Sequence, residues 1–363
     1  MRRTFAILAP LLLAGATVSA ESVKTLKAEL SADASRPFRV ENLAGRMVVR
    51  QGSGTKVVVT ATVHGEDQKA ADLMRLEEVR DAKTGHPTLR MRYPLSDYTT
   101  YRYGGEKRDG SGAGFFERLF SGNSNVTYDG TRVKVSGSGG LGLYADLVVE
   151  IPRGASGTFR NAVGRLEGAG VEGALRFDSG SGDISLRDFA GDVVADTGSG
   201  NVTAHSGKGS FKCDTGSGDC DLKAFHGERI DLDTGSGNVS VTDSGARYVK
   251  ADTGSGDVRL EVEDAEEIAA DTGSGQVAVD AAGASLSRIK ADTGSGDVSV
   301  KLPRSAGFEL RADVGSGDVT SGFDDATAIM ERRKVKGYRR GDLKVKIDVD
   351  TGSGDVSVGP GRP

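Results

Sequence analysis

The chain has no tryptophan, two cysteines, four histidines and eight prolines among 363 residues, and only 6% of it is aromatic. So little aromatic mass excludes a large conventional core, and it removes the ring platforms on which many sugar-active proteins hold their substrates. Positive charge is not in excess either. A net charge of -5 and a pI near 5.6 leave no overall basic footprint for nucleic acid. After the first twenty residues no run of about 18 apolar residues is long enough to cross a bilayer as a helix. His64, His86, His205 and His226 show no metal-ligand spacing, so no metal site is expected from them.

What is present begins at the start. "MRRTFAILAPLLLAGATVSAES" has two arginines, an apolar run and small residues at Val18-Ser19-Ala20, the pattern of a secretory signal over residues 1–20. The exported chain is expected to begin near Glu21. No cysteine follows the apolar run, so no lipoprotein anchor is expected, and the compartment implied is periplasmic or extracellular. Glycine is the other excess, with 53 copies.

Those glycines lie in a repeat. Aligned on its aspartate, it gives Asp178, Asp196, Asp214, Asp233, Asp252, Asp271, Asp292, Asp313 and Asp350, at steps of 18, 18, 19, 19, 19, 21, 21 and 37 residues. Seven of the nine read Asp-Thr-Gly-Ser-Gly. "ENLAGRMVV" from Glu41 and "RNAVGRLEG" from Arg160 fit the same frame in degenerate form. So short a period is a repeat architecture with one coil per unit. Apolar residues stand one and three places before the aspartate, as in Val193 and Ala195 or Ile230 and Leu232. They alternate again after the glycines, as in Val239 and Val241. Period two on both sides of a Gly-Ser-Gly bend predicts two short strands and a corner. At about 3.3 Å per residue a unit is roughly 60 Å of contour, one flattened turn of a solenoid and too short for a helical crossover. Two glycines per corner predict positive φ or a close backbone approach, since glycine is otherwise costly in ordered structure.

Five places after the aspartate the column reads Asp183, Asn201, Asp219, Asn238, Asp257, Gln276, Asp297. Stacked carboxylates about 4.8 Å apart repel by roughly 1 kcal/mol even at the dielectric of water, and the alternation avoids this as an in-register ladder requires. Asp318 then breaks the pattern, so the last rungs need another compensation. The first column is aspartate throughout, and an Asx-turn accepting the corner's own amides is the expected local stabiliser.

The chemical alternatives are weaker. "VVADTGSGNV" looks like the active-site strand of aspartic proteases, but copies at rung spacing on one face cannot oppose each other across a cleft. Stacked Gly-Asp corners resemble calcium-binding nonapeptide repeats, so calcium is the one cofactor to consider; the spacing differs twofold, and solvated corners are the plainer reading. "GSGGLG" from Gly137 to Gly142 formally matches a dinucleotide fingerprint, yet a strand follows where a helix is demanded.

Cys213 and Cys220 in "CDTGSGDC" replace inward residues on either side of one corner, so a disulfide is expected if the Cα separation allows, with two packed thiols as the alternative. Two segments interrupt the repeat. Residues 98–130 are rich in glycine and tyrosine, and are expected to be a flexible insertion whose apolar patch, Phe115, Phe116, Leu119 and Phe120, docks on a solenoid end, a partner or a lipid surface. Residues 320–342 carry Arg332, Arg333, Lys334, Lys336, Arg339 and Arg340. This is the one clear basic patch, able to meet anionic lipid or polymer, with a solvated loop as the plainer reading.

Through "VENLAGRMVV", "LVVEIPRG", "NAVGRLEG" and the serial "DTGSGDVSV", roughly residues 38 to 358 resemble the bacterial putative adhesin family of exported β-strand-repeat proteins. The resemblance implies an exported β-solenoid and an envelope or surface interaction, and brings no catalytic residues. The expectation is therefore an all-β parallel β-solenoid of 18–21 residue repeats. A β region over 21–152 precedes the repeats of 153–358, and a tail covers 359–363. The expected function is non-enzymatic: an adhesin-like scaffold for a cell-envelope or surface ligand, protein or anionic polymer. The alternatives are an envelope-stress or regulatory partner of a membrane protein and, less favoured, a polysaccharide-active β-helix enzyme.

Overall fold

The computed structural model describes residues 22–31, 36–81, 83–104 and 122–361. They form β-strands almost throughout, with one short helix at Gln68–Leu73 whose N-terminus is capped by the Asp67 carboxylate. The chain divides into two compact units, residues 1–186 with 196–198, and residues 187–195 with 199–363.

In the first unit alternating side chains build two files of strands. One runs from Ser22–Ser31 through Lys56–Gly65 to Leu141–Ile151 by antiparallel pairing, then by parallel pairing to Met47–Gln51 and Leu166–Ala169. The other sets Arg75–Arg80 antiparallel on Pro87–Arg92, followed in parallel by Phe38–Ala44, Ala155–Val163 and Glu172–Ser181. The two degenerate units thus lie in the stack: Arg160 is in register with Glu41 on one side and Asp178 on the other. Phe159 packs against Phe38 at 5.8 Å and Phe177 at 5.3 Å between ring centroids, all three buried. Of the 98–130 segment, Thr100–Arg102 and Asn123–Tyr128 are strands beside Thr131–Ser136, and Tyr101, Tyr103 and Tyr128 are buried there.

The second unit is a stack of coils, each with one strand before and one after the corner. Before the corner, the registers Asp214 to Asp233, Asp233 to Asp252, Asp252 to Asp271 and Asp271 to Asp292 set each aspartate over the last. After it, Val202, Cys220, Val239, Val258, Val277 and Val298 form the matching inner file. These inward residues are nearly all valine, alanine, isoleucine and leucine, all buried, so the narrow interior fills without large rings. Phe189, Phe211 and Phe225, all buried, cluster with centroids 5.4 to 6.4 Å apart.

The order of the last coils is not the order of the chain. Asp292 is in register with Asp350, and Asp350 with Asp313. Val298 likewise pairs with Val356, and Val356 with Val319. The coil of Val345–Thr351 and Val356–Pro360 is thus inserted between its two predecessors. What permits it is the antiparallel hairpin Thr327–Glu331 and Lys334–Arg340, whose second strand caps Phe308–Val314 and turns the chain back.

Candidate functional site

The repeated corners are held by threonine. Thr215, Thr234, Thr253, Thr272, Thr293 and Thr351, each following the aspartate, are buried. Each hydroxyl donates to a glycine carbonyl of the preceding coil at 2.7–3.0 Å. Each also accepts the amide of the glycine three residues on, at 3.0–3.2 Å. One side chain therefore closes its own corner and ties it to the coil below. In the first unit Asn161 occupies the same column, donating to the Gly45 carbonyl at 2.7 Å and accepting from Asn42 at 3.1 Å. The aspartates do not supply this staple. Among the described residues Asp214, Asp233, Asp252, Asp271 and Asp292 accept no corner amide; they stand at the outer edge, Asp271 exposed and the others half-buried.

The corner glycines meet a close approach and not a positive φ. A β-carbon on Gly256 would lie 1.9 Å from the Gly237 carbonyl oxygen, and one on Gly275 2.0 Å from that of Gly256, while neither residue has left-handed backbone.

The column five places after the aspartate is a hydrogen-bonded ladder. The Asn201 side-chain oxygen accepts the Asp219 amide at 3.0 Å, Asp219 that of Asn238 at 2.8 Å, Asn238 that of Asp257 at 2.9 Å and Asp257 that of Gln276 at 2.8 Å. Because of the inserted coil, Asp297, Asp355 and Asp318 are consecutive. Their compensation is the same bond, from Asp355 N to Asp297 and from Asp318 N to Asp355, at 2.8 and 2.9 Å.

The outer aspartates form a vertical file, neighbours by translation that do not oppose one another across a cleft. Burial, followed by the carboxylates above and below, pushes Asp233 and Asp271 above the usual range. Between them, Lys250 lies 3.8 Å from Asp252, and Lys290 bonds Asp292 in the next coil but one. Among the described residues no group of three or more His, Cys, Asp or Glu is placed to hold a metal ion.

Cys213 and Cys220 are joined as a disulfide across their corner, with Cα atoms 6.6 Å apart. Phe115, Phe116, Leu119 and Phe120 lie outside the described residues. The basic segment is the hairpin, and its six cations divide. Lys336 pairs with Asp313 at 2.9 Å, Arg339 with Glu309 at 2.7 Å and Arg340 with Asp325 at 2.6 Å, the last guanidinium also lying over the Phe323 ring. Arg332, Arg333 and Lys334 are exposed at the turn. No local pattern announces this division, because Asp313 and Glu309 come from the preceding coil and Asp325 lies 15 residues before its partner.

Three solved structures are similar to this chain at low identity. A putative cell adhesion protein from Clostridium sporogenes is 10% identical, with 93% of this chain and 100% of that one covered and a TM-score of 0.20. A putative adhesin from Bacteroides fragilis is 12% identical, covering 92% and 97% with a TM-score of 0.35. A putative lipid binding protein from Parabacteroides distasonis is 11% identical, covering 92% and 96% with a TM-score of 0.36. Each of these names describes that protein alone. No curated protein matches the chain in sequence. The family model that does match spans residues 145–359, every corner from Asp178 to Asp350 included, and by it the chain belongs to the Toastrack DUF4097 family.

Proposed function

We propose that the protein is an exported, non-enzymatic, adhesin-like β-solenoid scaffold that presents strand faces and loops to a cell-envelope or surface ligand. The observation that carries this reading is the use to which the repeated residues are put. Threonine hydroxyls, corner glycines and the second acidic column are all spent on holding one coil to the next. The outer carboxylates stand in a file related by translation, an arrangement that suits a ladder and lacks the convergence acid–base chemistry needs. Repeat proteins bind through extended faces of this kind.

The test is retention of the purified protein on envelope fractions and intact cells, with soluble polysaccharides assayed in parallel for release of reducing ends. Saturable retention without release supports the scaffold. Release of reducing ends, abolished by substitution of two stacked aspartates, would replace it with an enzyme.

A further inference from the structure

Resting on the scaffold reading, we propose that the hairpin tip is a membrane-surface anchor, in which Arg332, Arg333, Lys334 and Met330 seat on the headgroups of an anionic phospholipid bilayer.

Three independent observations lead there. The first is the turn itself. Glu331 faces Lys334, so Arg332 and Arg333 are a two-residue hairpin loop, with φ of 46° and 70°. Such a loop normally takes Asn-Gly, because a β-carbon is disfavoured at positive φ. Local strain of this kind clusters where function requires it, and here its effect is to place two consecutive arginines at the apex.

The second is the state of the cations. Those nearer the coils are committed to Asp313, Glu309 and Asp325. The three at the tip have no ion pair among the described residues, and they are consecutive on a chain of net charge -5. A cationic apex on an acidic body orients the molecule towards an anionic surface and holds the rest of it away.

The third selects the occupant. Met330, opposite Val335, is 57% exposed, against 48% for Leu73 and 38% for Leu343, the other exposed large hydrophobics among the described residues. A soluble polyanion would use only the charges, whereas a bilayer offers the thioether the apolar boundary just beneath the headgroups. A protein partner would call for an apolar patch larger than one side chain. Each cation near an anionic leaflet is worth about fivefold in partitioning, so with Lys334 facing Glu331 the two arginines supply about 25-fold.

The experiment is co-sedimentation of the purified protein with vesicles of phosphatidylcholine alone or with a quarter phosphatidylglycerol. Two variants accompany it, Met330→Ser and the double variant Arg332→Asn with Arg333→Gly, which keeps the turn and relieves its strain. Expected are at least tenfold preference for the anionic vesicles, a loss of about 25-fold in the double variant with its melting temperature unchanged or raised, and a several-fold loss in Met330→Ser. Retention of Met330→Ser on a soluble polyphosphate matrix should equal that of the wild type. Equal partitioning to both vesicles, full binding by the double variant, or full vesicle binding by Met330→Ser would each overturn the anchor. If the double variant loses vesicles yet keeps its retention on envelope fractions, the anchor and the scaffold reading both stand and use different surfaces. If the wild type binds anionic vesicles but no envelope fraction, the anchor stands and the scaffold reading fails.

Discussion

Replacing Gly256 by alanine is expected to cost far more than its single added carbon suggests. That carbon would sit 1.9 Å from the Gly237 oxygen, 2.5 Å from its carbon and 2.9 Å from the Asn238 nitrogen, all backbone atoms that cannot swing aside. Restoring van der Waals distance means separating two coils by more than 1 Å against a rung spacing of about 4.8 Å. The bonds that cross this point include Thr253 Oγ1 to the Gly237 carbonyl at 2.7 Å and the Asp257 amide to Asn238 at 2.9 Å. Overpacking alone costs about 1–3 kcal/mol, and loss or stretching of two hydrogen bonds adds about 1 kcal/mol each, for a total of about 3–5 kcal/mol. At about 2–4 °C per kcal/mol for a unit of this size, the melting temperature should fall by about 6–20 °C. Gly359 is the internal control: in the same unit, with nothing within 4 Å of its added carbon, Gly359→Ala should stay within about 0.5 kcal/mol of wild type. Urea melts of the three proteins decide the matter. If Gly256→Ala matches Gly359→Ala, the close approach of the coils does not constrain this position and the account of the corners is wrong.

Thr253→Val keeps the shape of the side chain but strands the Gly237 carbonyl and the Gly256 amide, so a loss of about 2–4 kcal/mol is expected in the same melts. Serine at that position should recover most of it. Reduction of the disulfide releases a loop closed by residues seven apart, which predicts a loss of about 2 kcal/mol, read as a melting shift with and without reductant and absent from a Cys213→Ala, Cys220→Ala variant. Asp233→Asn should stabilise at neutral pH by less than about 1 kcal/mol, since the carboxyl is largely solvated. The sign follows from its raised folded pKa. The cost of the charge is present above that value, and it disappears as pH falls through it towards the ordinary 3.8, so wild type and variant should converge in that window. Equal stability at neutral pH would mean the stacked charge is fully screened.

The period, the two strands per coil, the degenerate units at Glu41 and Arg160 and the alternating second column were legible because each follows from spacing and side-chain alternation alone. The staple was misassigned to aspartate because Asp and Thr recur together. The signal that separates them is burial, which the sequence shows only indirectly, in the replacement of threonine by the apolar Val314 and the small Ser179. Of the two needs the corner glycines could serve, positive φ or a close backbone approach, the structure shows the second, and which coil makes the approach is what no local pattern names. The inserted coil was hidden for a related reason. Every corner offers the same register, so nothing local to Asp350 says which neighbours it will take, and only the 37-residue step marks the place. The division of the basic segment depends on Asp313 and Glu309, acids that the turned-back chain brings to it, and on Asp325 within the segment.

The insertion of residues 345–360 between two coils that precede it in the chain makes this segment a keystone. Until it emerges, Phe308–Val314 has no parallel neighbour of its own, and the equivalent edge of Arg288–Thr293 is the one vacancy it fits. Before residues 345–360 are in place, Phe308–Val314 can therefore close on Arg288–Thr293 with an acceptable seam, which the keystone must reopen. Arrival of residues 345–360, more than collapse of the repeats, is what commits this stack to its final order.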